Sequence, residues 1–290
     1  VKLTQIVGVT AALLAGPVTA WASDHAAHRI VGDEREIVRR YETSGRNGSS
    51  SSNSRGSDAL LERVVAVRDD GVELEYDLPK NTSAPDRARQ WQFPARLFKP
   101  SSGPAKLVNA DEIDARIDAW IKAAGLTRAS CGGWLFTWTM FKIECDPQSI
   151  IATVEAIDLR SLRAGEGEPY RDIESRVSGM LTRTQAGPRG ETYTALLPID
   201  PDAVRRTRAE GDVAVAQVMD KTLTLDDALR RRARDTISGT IAITLETDAA
   251  GTVWRRTRVT TLETVGSDGT PESSTHTEIV THRAASEQQP

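Results

Sequence analysis

The segment from Cys131 to Cys145, CGGWLFTWTMFKIEC, holds both cysteines of the chain, two of its six tryptophans and two of its four phenylalanines. Trp134, Phe136, Trp138 and Met140 fall on one side of an extended chain. Leu135, Phe141 and Ile143 fall on the other, interrupted by Thr137 and Thr139. Apolar residues on both sides describe a segment buried on both faces, and buried aromatics are among the largest contributors to a core. The cysteines limit how this segment can run. Fully extended, the two ends would lie about 46 Å apart, at roughly 3.3 Å per residue. A disulfide needs Cα atoms about 4.4–6.8 Å apart. A bonded pair therefore requires the chain to double back, most symmetrically near Trp138, or Ser130–Gly133 to curl round. Residues 134–144 contain no strong turn former, which weighs against a hairpin. The alternative is a straight strand with two buried free thiols, which behave as small hydrophobes.

The compartment favours the bond. Residues 1–22 place Lys2 before an apolar run from Ile6 to Ala15, followed by Pro17 and the small-x-small pattern Ala20-Trp21-Ala22. That is the pattern of a cleavable secretory signal peptide, with an apolar run too short to span a bilayer. The expected mature chain is periplasmic or secreted, cleaved after Ala22, where disulfides form and persist. Removing this segment takes away one cation and no acid, so the net charge goes from −4 to −5. A mildly acidic chain lacks the electrostatic footprint of a nucleic-acid binder. No later apolar run is long enough for an integral membrane segment.

Local signals describe hairpins and helices in alternation. Ser23 to Asp33 reads as a flexible start and Glu36–Ser44 as a strand. Arg46–Ser57 (RNGSSSSNSRGS) is too polar to pack and reads as a flexible loop. Leu60–Asp69 and Val72–Leu78 flank Asp70-Gly71, a type I′ turn signal. That turn would pair Val67 with Leu74, Val65 with Tyr76 and Arg68 with Glu73. Trp91–Phe98 reads as a strand in which Pro94 requires an edge or bulge, and Ala105–Val108 as its short return. Asn109 and Glu112 form a capping box for a helix whose buried stripe is Ile113, Ile117, Trp120, Ile121 and Ala124, ended by Gly125. Asp146-Pro147 starts a second helix, with Ile150, Ile151, Val154 and Ile157 facing inward.

Beyond a loop at Arg163–Pro169, the pattern repeats. Val177–Thr184 and Glu191–Leu197 form another hairpin. Asp200-Pro201 opens a helical region to about Asp220, interrupted at Gly211, and Thr224 with Asp227 caps a short Arg-rich helix. Thr236–Thr247, Thr252–Val265 and Ser273–Arg283 are Thr-rich strands suited to a sheet with one wet face.

The catalytic signatures are missing. The chain has no G-x-S-x-G elbow, no P-loop, no G-x-G-x-x-G after a strand and no H-E-x-x-H. All four histidines lie near the chain ends, leaving Cys131 without a base. His276 and His282 are six residues apart, about 20 Å along a strand, too far for one metal ion; the histidines read as exposed. Arg255, Arg256 and Arg258 read as a charged strand edge that blocks edge-to-edge pairing.

The expected fold is α+β: a large, curved antiparallel sheet built of hairpins, packed against amphipathic helices inserted in pairs. The expected organisation is a signal peptide at 1–22, a flexible start at 23–33, halves at 34–162 and 163–285 forming one compact unit, and a disordered tail at 286–290. The element order resembles, at the level of architecture, periplasmic lipoprotein carriers, in which an incomplete barrel wraps helices round an apolar cavity. No motif of that family is present, and the residues identify no specific family. The functional expectation is a non-catalytic binder of a hydrophobic ligand or an envelope protein partner, without cofactor or metal. Trp91, Trp120, Trp134, Phe136 and Trp138 are the candidate cavity residues. The alternatives are an enzyme whose site follows no motif, or a structural subunit of an envelope assembly.

Overall fold

A computed structural model describes residues 30–136 and 140–284. The signal-type segment, the first seven residues after it, residues 137–139, where the doubling back near Trp138 was expected, and the C-terminal tail lie outside the described residues. In chain order the elements begin with β1 (Glu34–Asn47), β2 (Ser50–Arg68), β3 (Gly71–Asp77), α1 (Ala84–Ala88), β4 (Ala95–Pro100) and β5 (Lys106–Leu107). Then come α2 (Ala110–Ala123), β6 (Trp134–Phe136), β7 (Met140–Lys142), α3 (Ser149–Glu155), β8 (Pro169–Tyr170) and β9 (Gly179–Met180). The chain continues through β10 (Thr182–Gly187), β11 (Gly190–Pro198), α4 (Pro201–Val218) and α5 (Leu225–Arg232). It ends with β12 (Thr236–Thr247), β13 (Val253–Val265) and β14 (Pro271–Ala284). Ten strands follow one another in the hydrogen-bonded order β10-β11-β12-β13-β14-β1-β2-β3-β4-β5. The fold is mixed α+β and mostly antiparallel sheet, and no helix among the described residues is long and apolar enough to cross a membrane.

The chain divides into two compact units. The first comprises 30–37, 59–158 and 282–284 of the described residues, and the second comprises Val38–Asp58 and Leu159–Thr281.

In the first unit, Leu74 and Tyr76 of β3 lie opposite Leu97 and Ala95 of β4, and all four are fully buried. Side chains of the Leu and Tyr class contribute about 1.5–3 kcal/mol each when fully buried. Ile113, Ile117 and Ile121 of α2 and Ile150 and Val154 of α3 add to that core, in the 3.6-residue stripes expected of amphipathic helices. Trp120 is half-buried and Ala124 exposed at the margin of that stripe. Gly125 ends α2 at φ +69°, the left-handed cap that glycine adopts without a Cβ penalty.

Several expectations are corrected here. The Asp70-Gly71 hairpin forms two residues out of the expected register: Arg68 faces Gly71, Val67 faces Val72, and Val65 is bulged out so that Val64 faces Leu74. Asp220 is the sole non-glycine with positive φ among the described residues, so Asp69 and Asp70 do not make a type I′ turn. Gly71 answers to packing: a Cβ there would lie 2.4 Å from the Lys99 carbonyl oxygen on β4. Arg68 and Glu73 still meet diagonally at 2.7 Å.

The strand expected from Trp91 begins only at Ala95. Proline has no N–H for a ladder, and the Pro94 carbonyl instead accepts from Arg116 (2.6 Å) and Asn109 (3.2 Å). Asn109 does not cap α2 through its side chain. Its Oδ1 accepts from the Arg96 N–H and its Nδ2 donates to Glu112, so it ties β4 to the helix start. Helix α3 starts at Ser149, after the Asp146 carboxylate has accepted from the Gln148 N–H.

The cysteine segment doubles back. Cys131 and Cys145 are bonded with Cα atoms 5.6 Å apart. Between them β6 and β7 form a separate two-stranded sheet with Leu135 opposite Phe141. The segment is therefore not a strand buried on both faces: Trp134, Leu135 and Phe141 are half-buried, and Ile143 is buried.

In the second unit, Ile241, Ile243 and Leu245 of β12 face Leu197, Ala195 and Tyr193 of β11. Opposite these residues on β13 stand Thr260, Arg258 and Arg256. Helix α4 opens on Asp200, whose side chain accepts from the Asp202 N–H, with Pro201 in the first turn. It runs unbroken through Gly211, whose intrinsic cost of about 1 kcal/mol is outweighed by the buried face of Ala209, Ala214 and Ala216. Thr224 caps α5 from its side chain, as its spacing to Asp227 implied.

The tract read as a flexible loop is also corrected. Chain reversal takes only Gly48, at φ +55°, and Ser49; β2 begins at Ser50. Backbone ladders need no apolar side chains, and local devices hold the register. Arg39 and Asp58 pair at 2.7 Å, and a Cβ on Gly56 would lie 2.3 Å from the Tyr41 ring. Gly56 thus leaves the space that Tyr41 fills.

Candidate functional site

The second unit contains a concave site of about 320 Å³ where the β1–β2 reversal, the end of β13 and the start of β14 meet α4. Its wall is built by strand alternation. Thr264 of β13 lies opposite Glu272 of β14, and Leu262 lies opposite Ser274. Because side chains two apart share a face, these four stand on the side that Arg208 of α4 covers. From the β1–β2 reversal come Asn47 and the hydroxyl-bearing Ser50, Ser51 and Ser52. Gly45 leaves room for Ser52: a Cβ there would sit 3.3 Å from Ser52 Oγ and in ordinary contact, at 3.6 Å, with the Ser273 carbonyl oxygen.

Arg208, Glu272 and Asp235 are engaged with one another, while Arg46, also in the lining, is exposed. Glu272 accepts from Arg208 at 2.7 Å through one oxygen and from Asn47 Nδ2 at 3.1 Å through the other. Arg208 Nε stands 3.7 Å from Asp235, whose carboxylate is 2% exposed and also meets Arg232 at 3.3 Å. Asp235 and Arg232 therefore fix Arg208 from behind, and Arg208 fixes Glu272 at the wall. Thr264 is 2% exposed, and its hydroxyl has no hydrogen-bond partner in the protein. A buried hydroxyl left unsatisfied costs about 1–3 kcal/mol; Arg208 Nε, 3.7 Å from Asp235, is the other buried side-chain atom of the site without a hydrogen-bond partner.

A second cluster on the same face has a different character. Arg258 makes two bonds to Asp172, at 2.8 and 2.9 Å, and one to Glu174 at 2.5 Å. Arg256 pairs with Glu278 at 2.8 Å, and Thr43 Oγ1 lies 2.7 Å from His276 Nδ1. Burial pushes the Asp172 carboxyl up, but the Arg258 hydrogen bonds and charge outweigh it and hold the group below the usual carboxylate range. Burial tends to lower the Arg258 pKa, and its bonds to Asp172 outweigh that and raise it. Desolvation lowers the His276 pKa, which Glu278 only partly opposes. Burial raises that of Tyr170. Every carboxylate here is already matched to a cation, the arrangement of a clamp that pins the 170–176 loop to β13.

The structure relocates the residues singled out by sequence. Strand β13 lies between β12 and β14, so Arg255, Arg256 and Arg258 do not guard an edge; Arg255 pairs with Glu246 at 3.2 Å. His282 is buried, with Nε2 2.9 Å from the Ile157 carbonyl oxygen, and His276 is half-buried, so neither is the exposed histidine expected. No group of three or more metal-ligating side chains occurs among the described residues. Trp91 is buried in the first unit, with its carbonyl accepting from Arg116 at 2.9 Å. Trp120 and Trp134 are half-buried there. The Phe136 side chain and Trp138 lie outside the described residues. Trp91, Trp120 and Trp134 do not line the 320 Å³ site.

Sequence reasoning missed Asn47, Arg208, Thr264 and Glu272. One signal was available: Asn47-Gly48 is a hairpin turn pair, and reading it as such brings Ser50–Ser52 back beside β1.

No protein family matches the chain, and no curated protein does. Among solved structures, the attachment invasion locus protein Ail of Yersinia pestis is matched at 4% identity and a TM-score of 0.19, over 88% of this chain and 100% of that one. A putative outer membrane lipoprotein-sorting protein domain from Vibrio parahaemolyticus is matched at 8% identity and a TM-score of 0.16, over 88% and 87%. Superpositions at these TM-scores do not establish a shared fold.

Proposed function

We propose that this chain is a non-catalytic binding protein of an extracytoplasmic, oxidising compartment, and that the concave site of the second unit holds its ligand, a small polar molecule. The observation that carries the reading is the Thr264 hydroxyl, buried and unpartnered in the wall of that site. A cavity of about 320 Å³ sits at the lower end of the range for small-molecule sites, about 300–1,000 Å³. Glu272 is engaged at both oxygens by Asn47 and Arg208, which suits a group that orients a ligand better than one that exchanges protons. The Cys131–Cys145 bond supports the compartment, as does the signal-type pattern of residues 1–22. A second reading, a hydrophobic ligand or an envelope partner, is favoured by Trp120 and Trp134, which remain half-buried in the first unit.

Native mass spectrometry on unreduced protein, purified from an oxidising compartment, tests this reading. The expected spectrum shows a small polar adduct that is lost in Asn47→Ala. A lipid-sized adduct that survives Asn47→Ala would overturn it in favour of the aromatic site. A bare chain would overturn both.

A further inference from the structure

Resting on that reading, we infer that the ligand of the second-unit site is a neutral polyhydroxylated molecule, a sugar ring in chemical class. Arg208, Glu272 and Asp235 offset one another, and Arg46, also in the lining, is exposed to solvent. Arg208 is committed to Glu272 on one side and Asp235 on the other, and Glu272 is shared between Arg208 and Asn47. An incoming anion would have to compete with Glu272 for Arg208, and an incoming cation would have to compete with Arg208 for Glu272. What remains is a wall of hydroxyls from Ser50, Ser52 and Ser274, which share the face of Glu272 and Thr264 by alternation, with Thr264 behind them. Each hydroxyl both donates and accepts, so the lining matches a ligand whose own groups do the same, and adjacent ring hydroxyls are such a ligand.

The fixed groups add orientation. Glu272 retains acceptor capacity beyond its two protein donors, because an ionised carboxylate offers about four lone-pair sites. Arg208 is held by the buried Asp235, so its direction is preset. Preorganised polar groups of this kind reward a ligand that presents donor and acceptor together and penalise one that leaves a buried group unmatched. Leu262 is the apolar contribution to the lining and suits the C–H face of a ring. Thr264, unpartnered within the protein, gains a partner when a ligand hydroxyl reaches the wall.

Saturation-transfer NMR and calorimetry on the full unreduced chain, with glucose, galactose and maltotriose as neutral probes and orthophosphate and citrate as anionic ones, test the inference. The expected result is binding of the neutral probes, weakened about tenfold or more in Thr264→Val, the factor that corresponds to one lost buried hydrogen bond. Thr264→Val keeps the side-chain shape, and circular dichroism of the variant verifies that the sheet persists. Tighter binding of maltotriose than of glucose would assign the site to a chain end, and the reverse would assign it to a free sugar; both support the class. Binding of orthophosphate or citrate without the neutral probes overturns the inference and leaves the polar-ligand reading standing. Sugar binding unchanged in Thr264→Val overturns the assignment to this site. Absence of binding by every probe overturns the sugar class; if the mass spectrum is also bare, the polar-ligand reading falls with it.

Discussion

Replacing Arg258 with leucine removes the cation that holds the 170–176 loop, and the geometry sets the size of the effect. The Asp172 side chain is 5% exposed and that of Arg258 15%, whereas that of Glu174 is 43% exposed. The Glu174 contact is therefore screened and contributes at most about 1 kcal/mol. The Asp172 contact behaves as a buried pair, for which removing one partner costs about 3–5 kcal/mol because the other charge is stranded. Arg258→Leu should lower stability by about that amount at pH 7, read by urea unfolding. In a thermal scan the same loss corresponds to a melting point lower by about 6–20 °C. Most of the cost is the stranded carboxylate rather than the lost attraction, so Arg258→Leu combined with Asp172→Leu should recover most of it. The deficit should also shrink on acidification. Asp172 is held low by Arg258 in the folded state, so the pair's contribution is present above the unfolded carboxylate pKa of about 3.9 and fades as pH falls below it. A single-variant loss under about 1 kcal/mol, or a double variant that loses the sum of the two singles, would refute this reasoning.

Three further predictions follow from other parts of the molecule. Cys131→Ser with Cys145→Ser opens a loop with a sequence separation of 14 and should cost about 3 kcal/mol, seen as the difference between unreduced wild type and variant in urea. Gly239→Ala should destabilise strongly and expand the second unit, because its Cβ would sit 2.2 Å from the Thr261 carbonyl oxygen and 3.2 Å from Leu262 Cα, both backbone atoms; a variant with wild-type melting would contradict the tight approach of β12 to β13. His276 binds its proton less readily folded than unfolded, so its contribution is full above the unfolded value near 6.5 and is lost as pH falls below it. His276→Gln should flatten the stability profile in that window, and an unchanged slope would show that the desolvation is relieved by other means.

Much of the scaffold was readable where one local force dominates. Periodicity located α2 and α3, end signals located α4 and α5, and the three C-terminal strands emerged from alternating Ile, Leu and Thr. The cap at Asp200 and that at Thr224 form as their spacing implies. The failures share a cause in tertiary context. The serine tract became strand because a ladder rewards backbone pairing whatever the side chains, and Asn47-Gly48 supplied the reversal. The Asp70-Gly71 hairpin slipped by two residues in register because Gly71 answers to the close passage of β4 rather than to turn type. Arg255, Arg256 and Arg258 looked like an edge because sequence does not reveal which strands become neighbours; once β14 covers β13, the arginines become clamps. The candidate site was hidden for the same reason. Asn47, Arg208, Thr264 and Glu272 are far apart in sequence and individually ordinary, and only sheet register and the path of α4 bring them together.

The account's central claim is that the ligand occupies the hydroxyl-lined site of the second unit. The most direct test is the electron density of a crystal of unreduced protein, purified from an oxidising compartment and never stripped of ligand. The account predicts a compact polar molecule within hydrogen-bond distance of Asn47, Glu272 and Thr264, with Arg208 still on Asp235. Density for an apolar chain among Trp91, Trp120 and Trp134, with Thr264 untouched, would contradict it.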